Sequence, residues 1–308
     1  MEDANLHVRD GSRRSPYLVF VVLAVLAIIW GYNWVVMKVA LHYTGPFAFA
    51  AMRTLFGTVS LFAVIAVIKR PLRPKALPLT AALGLLQTTA FSGLAVWALK
   101  YAGAGKTSVL VYIMPFWLLL FAWIVLGERI RGLQWLAVIL AFGGLIFILS
   151  PWKSQGGVLG DAMAIMAGVS WAASAVVAKL LRSRHDVDLL SLTAWQMLFG
   201  CIPLIVVAAL TTSRFPVLSG SLIAALLYNA LLANALAWYL WLFLLQELPA
   251  GMAGIGSLMT PVVGVASAWL QLHERPAALE GLGMLLIVVA LGLLAGLGLL
   301  RRRRAGTG

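Results

Sequence analysis

Apolar segments about as long as a membrane is thick follow one another along the whole chain, separated by short polar connections. About 20 apolar residues in helical conformation cross a hydrocarbon layer roughly 30 Å thick. Helices are expected because backbone groups in lipid must be hydrogen-bonded within their own segment, and no segment shows the alternation of a barrel strand. The pattern predicts ten spans, at Tyr17–Leu41, Phe47–Ile68, Leu77–Lys100, Ala104–Gly127, Leu133–Pro151, Val158–Leu181, Leu189–Thr211, Val217–Leu245, Ala250–Leu272 and Ala278–Leu300.

The chain contains an internal repeat. Ala104–Gln134 corresponds, at a shift of 146 positions, to Ala250–Glu280, and both copies start with Ala-Gly, contain a proline and carry Glu-Arg near the end. Trp30–Lys38 likewise corresponds to Trp171–Lys179. Such a repeat divides the chain into two similar halves of five predicted helices each. Because five is odd, the second half crosses the membrane in the opposite sense, as in the inverted repeats of secondary transporters.

The domain organisation follows from this division. We predict a cytoplasmic N-terminal tail at 1–16, a first five-helix repeat at 17–151, a linker at 152–157, a second five-helix repeat at 158–300 and a basic cytoplasmic tail at 301–308. In inverted-repeat proteins the substrate lies near mid-membrane, where the two repeats meet.

Composition agrees with a membrane protein. Hydrophobic residues make up 62% of the chain and charged residues 11%, with a mean hydropathy of +0.98, whereas soluble domains are about 25% charged. The first apolar segment is too long for a cleaved signal sequence, so it is expected to stay as a helix. The single cysteine, Cys201, excludes an internal disulfide and a thiolate metal cluster. We expect no metal and no cofactor.

The net charge of +13 is typical of nucleic-acid binding, but the positions of the basic residues predict a membrane topology instead. With a cytoplasmic N-terminus, 16 Lys and Arg residues fall on the inner side and five on the outer side. This positive-inside bias predicts an inner (plasma) membrane protein with both termini in the cytoplasm. The expected partners are membrane lipids and a small-molecule substrate, with no nucleic acid, and the chain is a monomer or an unknown oligomer.

Several motifs resemble those of the ten-helix EamA type of the drug/metabolite transporter superfamily. They are Trp30-Gly31, the small-residue turn Ala102–Lys106, Met114-Pro115 and Gly127-Glu128-Arg129. The resemblance implies an all-α integral membrane protein, with ten transmembrane helices as two inverted five-helix repeats around a central cavity. It also implies transport of small organic solutes, and within the family the chain looks most like the exporters of amino acids, aromatic ones in particular.

Polar and aromatic residues inside the predicted helices are the candidates for substrate binding, because polar groups in lipid are costly. The candidates are Trp30, Asn33, Gln87, Tyr112, Trp171, Asn234 and Trp238. Trp30 and Trp171 occupy equivalent positions in the two repeats and are predicted to form facing walls for an aromatic or apolar solute. Ordinary packing or an interfacial position explains the Trp residues equally well. The amides could instead form hydrogen bonds between helices, and we favour that role for Asn229.

Three further features leave alternatives open. Pro115 and Pro261 are equivalent and would act either as hinges of two gates or as static kinks, of which the kink is the more common. Arg53 could bind a substrate carboxylate or could extend to water, and we favour the second. Glu128 and Glu274 lie at helix boundaries and would form either a structural ion pair or loop contact or a coupling site, and we favour the first.

No Asp or Glu falls at the middle of a predicted helix. A carboxylate proton relay therefore has no candidate, and we predict facilitated transport by alternating access rather than proton antiport. No nucleotide-binding or hydrolase motif occurs, so an enzyme is not expected. The alternatives are an exporter of nucleosides or drugs, with or without proton coupling, a channel, and a lipid-modifying membrane enzyme.

Overall fold

The computed structural model describes residues 16–102, 110–130, 132–149, 158–212, 216–272 and 278–305. The regular structure within these ranges is helical throughout. The linker predicted at 152–157 lies outside the described residues, as do Glu274, nearly all of the N-terminal tail and the last three residues of the C-terminal tail.

The described residues form ten helical units, which we number α1 to α10. Seven are single helices: α1 Pro16–Ala40, α2 Pro46–Val67, α4 Met114–Leu126, α5 Gln134–Leu149, α6 Val158–Arg184, α7 Leu189–Thr211 and α10 Ala278–Ala305. Three have internal changes of geometry: α3 joins Leu77–Gly84, Leu85–Ala90 and Phe91–Ala102, α8 joins Gly220–Leu227, Tyr228–Leu236 and Ala237–Glu247, and α9 joins Ala250–Ser257 and Met259–Leu272.

The central pieces of α3 and α8 are π-helical. A π-helical turn is wider than an α-helical one, is rare, and often marks a functional site. Both stretches carry buried amide side chains, Gln87 in the first and Asn229 and Asn234 in the second. The unusual backbone therefore coincides with the polar positions that the sequence picks out.

The helices have the length and surface of membrane spans. Six of them, among the described residues, are long and apolar enough to cross a bilayer, and four predicted spans coincide with shorter apolar helices. Large apolar side chains cover the outside of the bundle, with Phe20 55%, Trp123 57% and Leu210 81% exposed. A soluble protein rarely exposes apolar residues in such numbers, and lipid accounts for them. The chain is a multi-pass helical membrane protein.

The helices pack in pairs drawn from both halves of the chain. In the first half, α1 packs against α8 and α9, and α2 packs against α7 and α8. In the second, α6 packs against α3 and α4, and α7 packs against α3. The pair α5 and α10 packs extensively at the side of the bundle. The core is therefore shared between the halves.

Two glycines allow backbone contact between α3 and α7. A Cβ atom added at Gly84 would lie 2.2 Å from the Gln196 carbonyl oxygen, and one added at Gly200 would lie 2.4 Å from the Gly84 carbonyl oxygen. Small residues at such crossings let membrane helices approach closely.

The C-terminal helix is longer than the sequence predicts. Its hydropathy predicts an end at Leu300, but α10 continues to Ala305 and includes Arg301 to Arg304. The hydropathy pattern detects the end of the apolar segment, not the end of the helix, because arginine is a good helix former.

Candidate functional site

A small cavity lies where the two halves of the chain meet. Its volume is about 60 Å³, enough for a few water molecules. It is lined by α1, α2, α3, α6, α8 and the residues just before α4, namely Trp30, Asn33, Trp34, Met37, Arg53, Phe91, Ala95, Val96, Val111, Tyr112, Trp171, Ala233, Asn234 and Trp238. Six of the seven candidate substrate residues are in this set, and Gln87 is not.

Tryptophan rings from three helices form the centre of one wall. The Trp30 ring lies edge-on to Trp171 at 5.2 Å and to Trp238 at 5.0 Å, measured between ring centroids. Phe91 adds a ring 5.1 Å from Trp171. Edge-to-face pairs at these distances are favourable, about 0.5–1.5 kcal/mol each beyond the area they bury. In this conformation Trp30 and Trp171 touch each other, so the space for a solute lies beside the pair and not between the two rings.

Hydrogen bonds hold α1 against the π-helical stretch of α8. The Trp30 Nε1–H donates to the Ala233 carbonyl oxygen at 3.1 Å, and the Tyr228 hydroxyl donates to the Ile29 carbonyl oxygen at 2.8 Å. These bonds orient the Trp30 ring towards the cavity.

Polar atoms without partners face the same region. Asn33 Oδ1, Asn234 Nδ2 and Trp171 Nε1 are buried and have no hydrogen-bond partner. A buried polar atom that lacks a partner costs about 1–3 kcal/mol. Since these atoms belong to residues that line the cavity, a ligand with both donors and acceptors would satisfy them.

Gln87 lies behind the wall. It is fully buried, and its Oε1 accepts a long hydrogen bond of 3.4 Å from the Ser174 hydroxyl, while its Nε2 has no partner. Its position between α3 and α6 is that of a contact between helices. Whether it also meets the substrate in another conformation remains a prediction.

Arg53 differs from the interpretation that we favoured. An extended side chain reaching water would be exposed, but Arg53 is 7% exposed and lines the cavity. Its Nη1–H donates to Asn229 Oδ1 at 3.0 Å and lies 3.4 Å from Met37 Sδ. The sequence gives the depth of a residue along its helix but not the side of the helix that faces the bundle. That is why the interpretation was wrong.

Asn229 has the role predicted for it, a hydrogen bond between helices. Besides accepting from Arg53, its Nδ2 donates to the Ala225 carbonyl oxygen at 3.1 Å. A second bond between the halves joins α3 to α7, where the Thr88 hydroxyl donates to Gln196 Oε1 at 2.9 Å. Leu55-Phe56-Gly57 recurs in the second half as Leu198-Phe199-Gly200, so Gln196 is the repeat equivalent of Arg53. The α2–α8 and α7–α3 contacts therefore use polar bonds at corresponding places.

Each of the two equivalent prolines of the repeat lies beside a break in its helix. A turn at Tyr112 and Ile113 precedes α4, and Pro115 is the second residue of that helix. In α9 the break is at Leu258, and Pro261 follows it. Tyr112 and Leu258 are equivalent in the repeat, so both halves are interrupted at the same position. The breaks are static features here, and movement about them remains a prediction.

An ion pair and a backbone hydrogen bond connect three helices at Glu128. Lys179 Nζ donates to Glu128 Oε1 at 3.0 Å, and Glu128 Oε2 accepts the backbone N–H of Gly251 at 3.4 Å. The pair is partly shielded, with side chains 20% and 24% exposed. The carboxylate therefore ties the end of α4 to α6 and to the start of α9, as an ion pair at this boundary was expected to do.

Three aromatic residues in or next to the site were not predicted from the sequence. Trp34 lies one turn beyond Trp30 and shares its face, which is a signal that could have found it. Phe91 and the fully buried Trp241, whose ring lies 5.4 Å from Trp171, gave no signal because apolar residues surround them in the sequence. Trp97, in contrast, is 40% exposed and does not line the cavity.

Comparison with known protein families finds the same two halves. A model of the EamA-like transporter family matches residues 18–150 and again 158–296. The chain is 29% identical over 281 residues to YoaV, an uncharacterized transporter of Bacillus subtilis (strain 168), covering 88% of this chain and 94% of the relative. It is 32% identical over 283 residues to a probable amino-acid metabolite efflux pump of Escherichia coli (strain K12), covering 88% and 92%. A solved crystal structure of a protein aligns with a TM-score of 0.79 over 94% of this chain and 99% of that chain, at 19% identity, which concerns the fold alone.

Proposed function

The chain belongs to the EamA-like transporter family, and on that basis we propose that it exports small amphipathic metabolites, including aromatic amino acids, by alternating access. The relatives are transporters rather than enzymes, and membrane transport is the general function. The substrate, the direction and the mechanism are the proposal. The observation that carries it is the cavity between the halves, where aromatic rings surround polar atoms that lack partners.

Alternating access requires two halves that can exchange roles. The helix contacts support such a relation. If each helix of one half is matched with the corresponding helix of the other, α1 with α6 and so on to α5 with α10, then the α1–α9 contact corresponds to α6–α4 and the α2–α8 contact to α7–α3. The close approaches follow the same exchange, since a Cβ atom at Gly57 would lie 2.8 Å from the Ala230 carbonyl oxygen and one at its equivalent Gly200 would lie 2.4 Å from that of Gly84. We propose ten crossings in two inverted repeats.

Contacts between connecting segments support the proposed orientation. Lys75 donates to the Asp186 carbonyl oxygen and Trp195 to that of Leu72, so the α2–α3 and α6–α7 connections share one end of the bundle. The Val217 N–H donates to the Tyr43 carbonyl oxygen, so the α1–α2 and α7–α8 connections meet as well. With ten crossings and a cytoplasmic N-terminus, the α2–α3 and α6–α7 connections lie in the cytoplasm, and the α1–α2 and α7–α8 connections lie outside. We propose an inner-membrane protein with both termini in the cytoplasm.

The broken helices support a carrier rather than a static pore. In secondary transporters, interrupted helices at equivalent positions of the two repeats commonly form the substrate site. Here the breaks at Tyr112 and Leu258 are equivalent, and Tyr112 lines the cavity. A ligand pocket is typically about 300–1,000 Å³, far above the present 60 Å³. The cavity is thus too small for an amino acid as it stands, and a substrate must displace the aromatic rings to enter.

The composition of the site supports amino acids as substrates. Asn33 and Asn234 present an acceptor and a donor, and the tryptophan rings suit an apolar or aromatic body. One of the relatives is named a probable amino-acid metabolite efflux pump. Among the described residues that line the cavity there is no carboxylate, which fits facilitated transport without proton coupling. A pH change inside sealed proteoliposomes that follows the solute would refute uncoupled transport.

Counterflow in proteoliposomes tests the proposal. Vesicles preloaded with unlabelled phenylalanine should take up labelled phenylalanine faster than empty vesicles, as a carrier does and a channel does not. Trp30→Ala and Trp171→Ala should lower this exchange at least tenfold, because each removes a ring that would contact the solute. Trp123→Ala is the matched control, since that ring lies on the lipid-facing surface.

Each variant must first be shown to melt cooperatively, because both inner tryptophans also pack the core. Unchanged exchange by a folded Trp30→Ala and Trp171→Ala protein would refute the role of the aromatic wall. Acceleration by preloaded nucleosides but not by amino acids would replace the proposed substrate class. Equal uptake into empty and preloaded vesicles would point to a channel.

A further inference from the structure

The Arg53 side chain is a buried cation with an incomplete set of partners. Its two hydrogen-bond contacts are to neutral groups, the Asn229 amide oxygen and the Met37 sulfur, and its Nε–H has no partner. Phe49 lies below the guanidinium, with the ring centroid 6.0 Å from Cζ. None of these groups carries a negative charge. Within the described part of the chain, the ion pairs are Arg70 with Asp188 and Lys179 with Glu128, and none includes Arg53.

A charge in this position is expensive. Arginine within a membrane-spanning segment is rare and is normally paired or placed at a water-filled path, and an unpaired buried charge is strongly destabilising. A neutral donor would serve the bond to Asn229 at lower cost. The presence of a guanidinium here therefore points to an anionic ligand as its missing partner.

The surroundings define the anion. Arg53 is the cationic side chain among the described residues that line the cavity, so one negative charge balances the site and a phosphate dianion would leave it negative. The planar fork of the guanidinium matches the two oxygens of a carboxylate. Asn234 Nδ2 is a second free donor on the same cavity. The remaining lining is mostly aromatic and aliphatic, which suits the apolar body of the same molecule.

We propose that Arg53 is the carboxylate-binding residue of this site, and that the substrates are monocarboxylates with an apolar or aromatic body. This inference rests on the proposed function and adds a chemical rule to it. The carboxylate is the required group, and an ammonium group is optional because no acidic side chain among the described lining residues would bind it. The neutral pair formed by Arg53 and its ligand is also better suited to this buried position than the free cation is.

Ligand-induced stabilisation of the full-length protein in lipid nanodiscs tests this rule without requiring transport. The probes are 3-phenylpropionate, phenylalanine, phenylalaninamide and phenethylamine, which share a ring and differ in the carboxylate and amine. The first two should raise the melting temperature, and the last two should need about ten- to hundredfold higher concentrations for the same shift, as expected for the loss of a charge-assisted bond.

Two Arg→Gln variants provide the matched comparison. Arg53→Gln should melt at or above the temperature of the unliganded wild type, because a buried charge is removed, and should lose the preference for carboxylates. Arg73→Gln removes the same charge at an exposed position and should keep the preference. A merely structural Arg53 would instead lower the melting temperature when replaced and leave the ligand preference intact.

The wild-type series decides the question even if Arg53→Gln does not fold. The inference is overturned if the amide and amine stabilise the protein as well as the acids do, if none of the four does, or if folded Arg53→Gln keeps the preference. Transport of phenylalanine together with equal transport of its amide would overturn it while leaving the carrier function intact. Stabilisation by the two acids without transport of either would leave the carboxylate rule intact and overturn the proposed carrier function.

Discussion

Replacing Gly200 with alanine should destabilise the protein by disrupting the close contact between α3 and α7. A Cβ atom there would lie 2.3 Å from Thr88 Cβ and 2.4 Å from the Gly84 carbonyl oxygen. The obstacles are a backbone oxygen and a branched side chain, which cannot simply rotate away. Helices α3 and α7 would have to separate, and such overpacking typically costs about 1–3 kcal/mol.

Gly143 in α5 is the matched control, because a Cβ atom there meets nothing within 4 Å. Gly143→Ala should be neutral or stabilising by up to about 1 kcal/mol, since alanine favours the helix. The two variants thus differ by about 1–4 kcal/mol, which at roughly 2–4 °C per kcal/mol corresponds to about 2–16 °C in melting temperature.

Cys201 makes the measurement simple. It is the single cysteine of the chain and is 1% exposed, so a thiol-reactive dye reports its exposure during heating. Because Cys201 adjoins Gly200, tryptophan fluorescence should be recorded in parallel. Equal melting temperatures for Gly200→Ala and Gly143→Ala would refute the close packing of α3 on α7.

Two further predictions concern the boundary ion pair and the prolines. Glu128→Gln and Lys179→Met should each cost about 1 kcal/mol or less, because the pair is partly solvated, and the double variant should cost less than their sum; strict additivity of the melting shifts would contradict the contact. Pro115→Ala and Pro261→Ala should slow counterflow severalfold without changing the half-saturating concentration. Pro203→Ala, within α7, is the control and should leave the counterflow rate unchanged. Equal rates in all three variants would show that the breaks are static kinks.

The class of the protein and its helices could be predicted from hydropathy. Lipid imposes the same demand on every span, a long apolar helix with internal hydrogen bonds, and this demand is visible in any window of about 20 residues. The predicted spans differ from the helices at their ends, as in α10, and at the break before α4, which hydropathy did not predict. The family prediction is confirmed, because its motifs recur in order along the chain and the family model matches both halves.

The roles of individual residues were harder to predict. A membrane helix is apolar towards lipid and towards its neighbours, so its hydropathy does not show which side faces the bundle. Arg53 was therefore placed towards water, although it is buried and lines the cavity. Gln87 lies behind the cavity wall, and its contact with a substrate stays a prediction. The π-helical stretches of α3 and α8 had no recognisable signature either.

The sequence by itself determined that this chain is a helical membrane protein built from two similar halves, because segment length, charge distribution and repetition are properties of the chain. Only the tertiary structure decided which residues meet. The cluster of Trp30, Trp171 and Trp238 joins positions up to 208 residues apart, and the Arg53–Asn229 bond spans 176. Such contacts depend on how each helix is rotated about its axis, and that rotation is set by close packing between neighbours rather than by hydropathy.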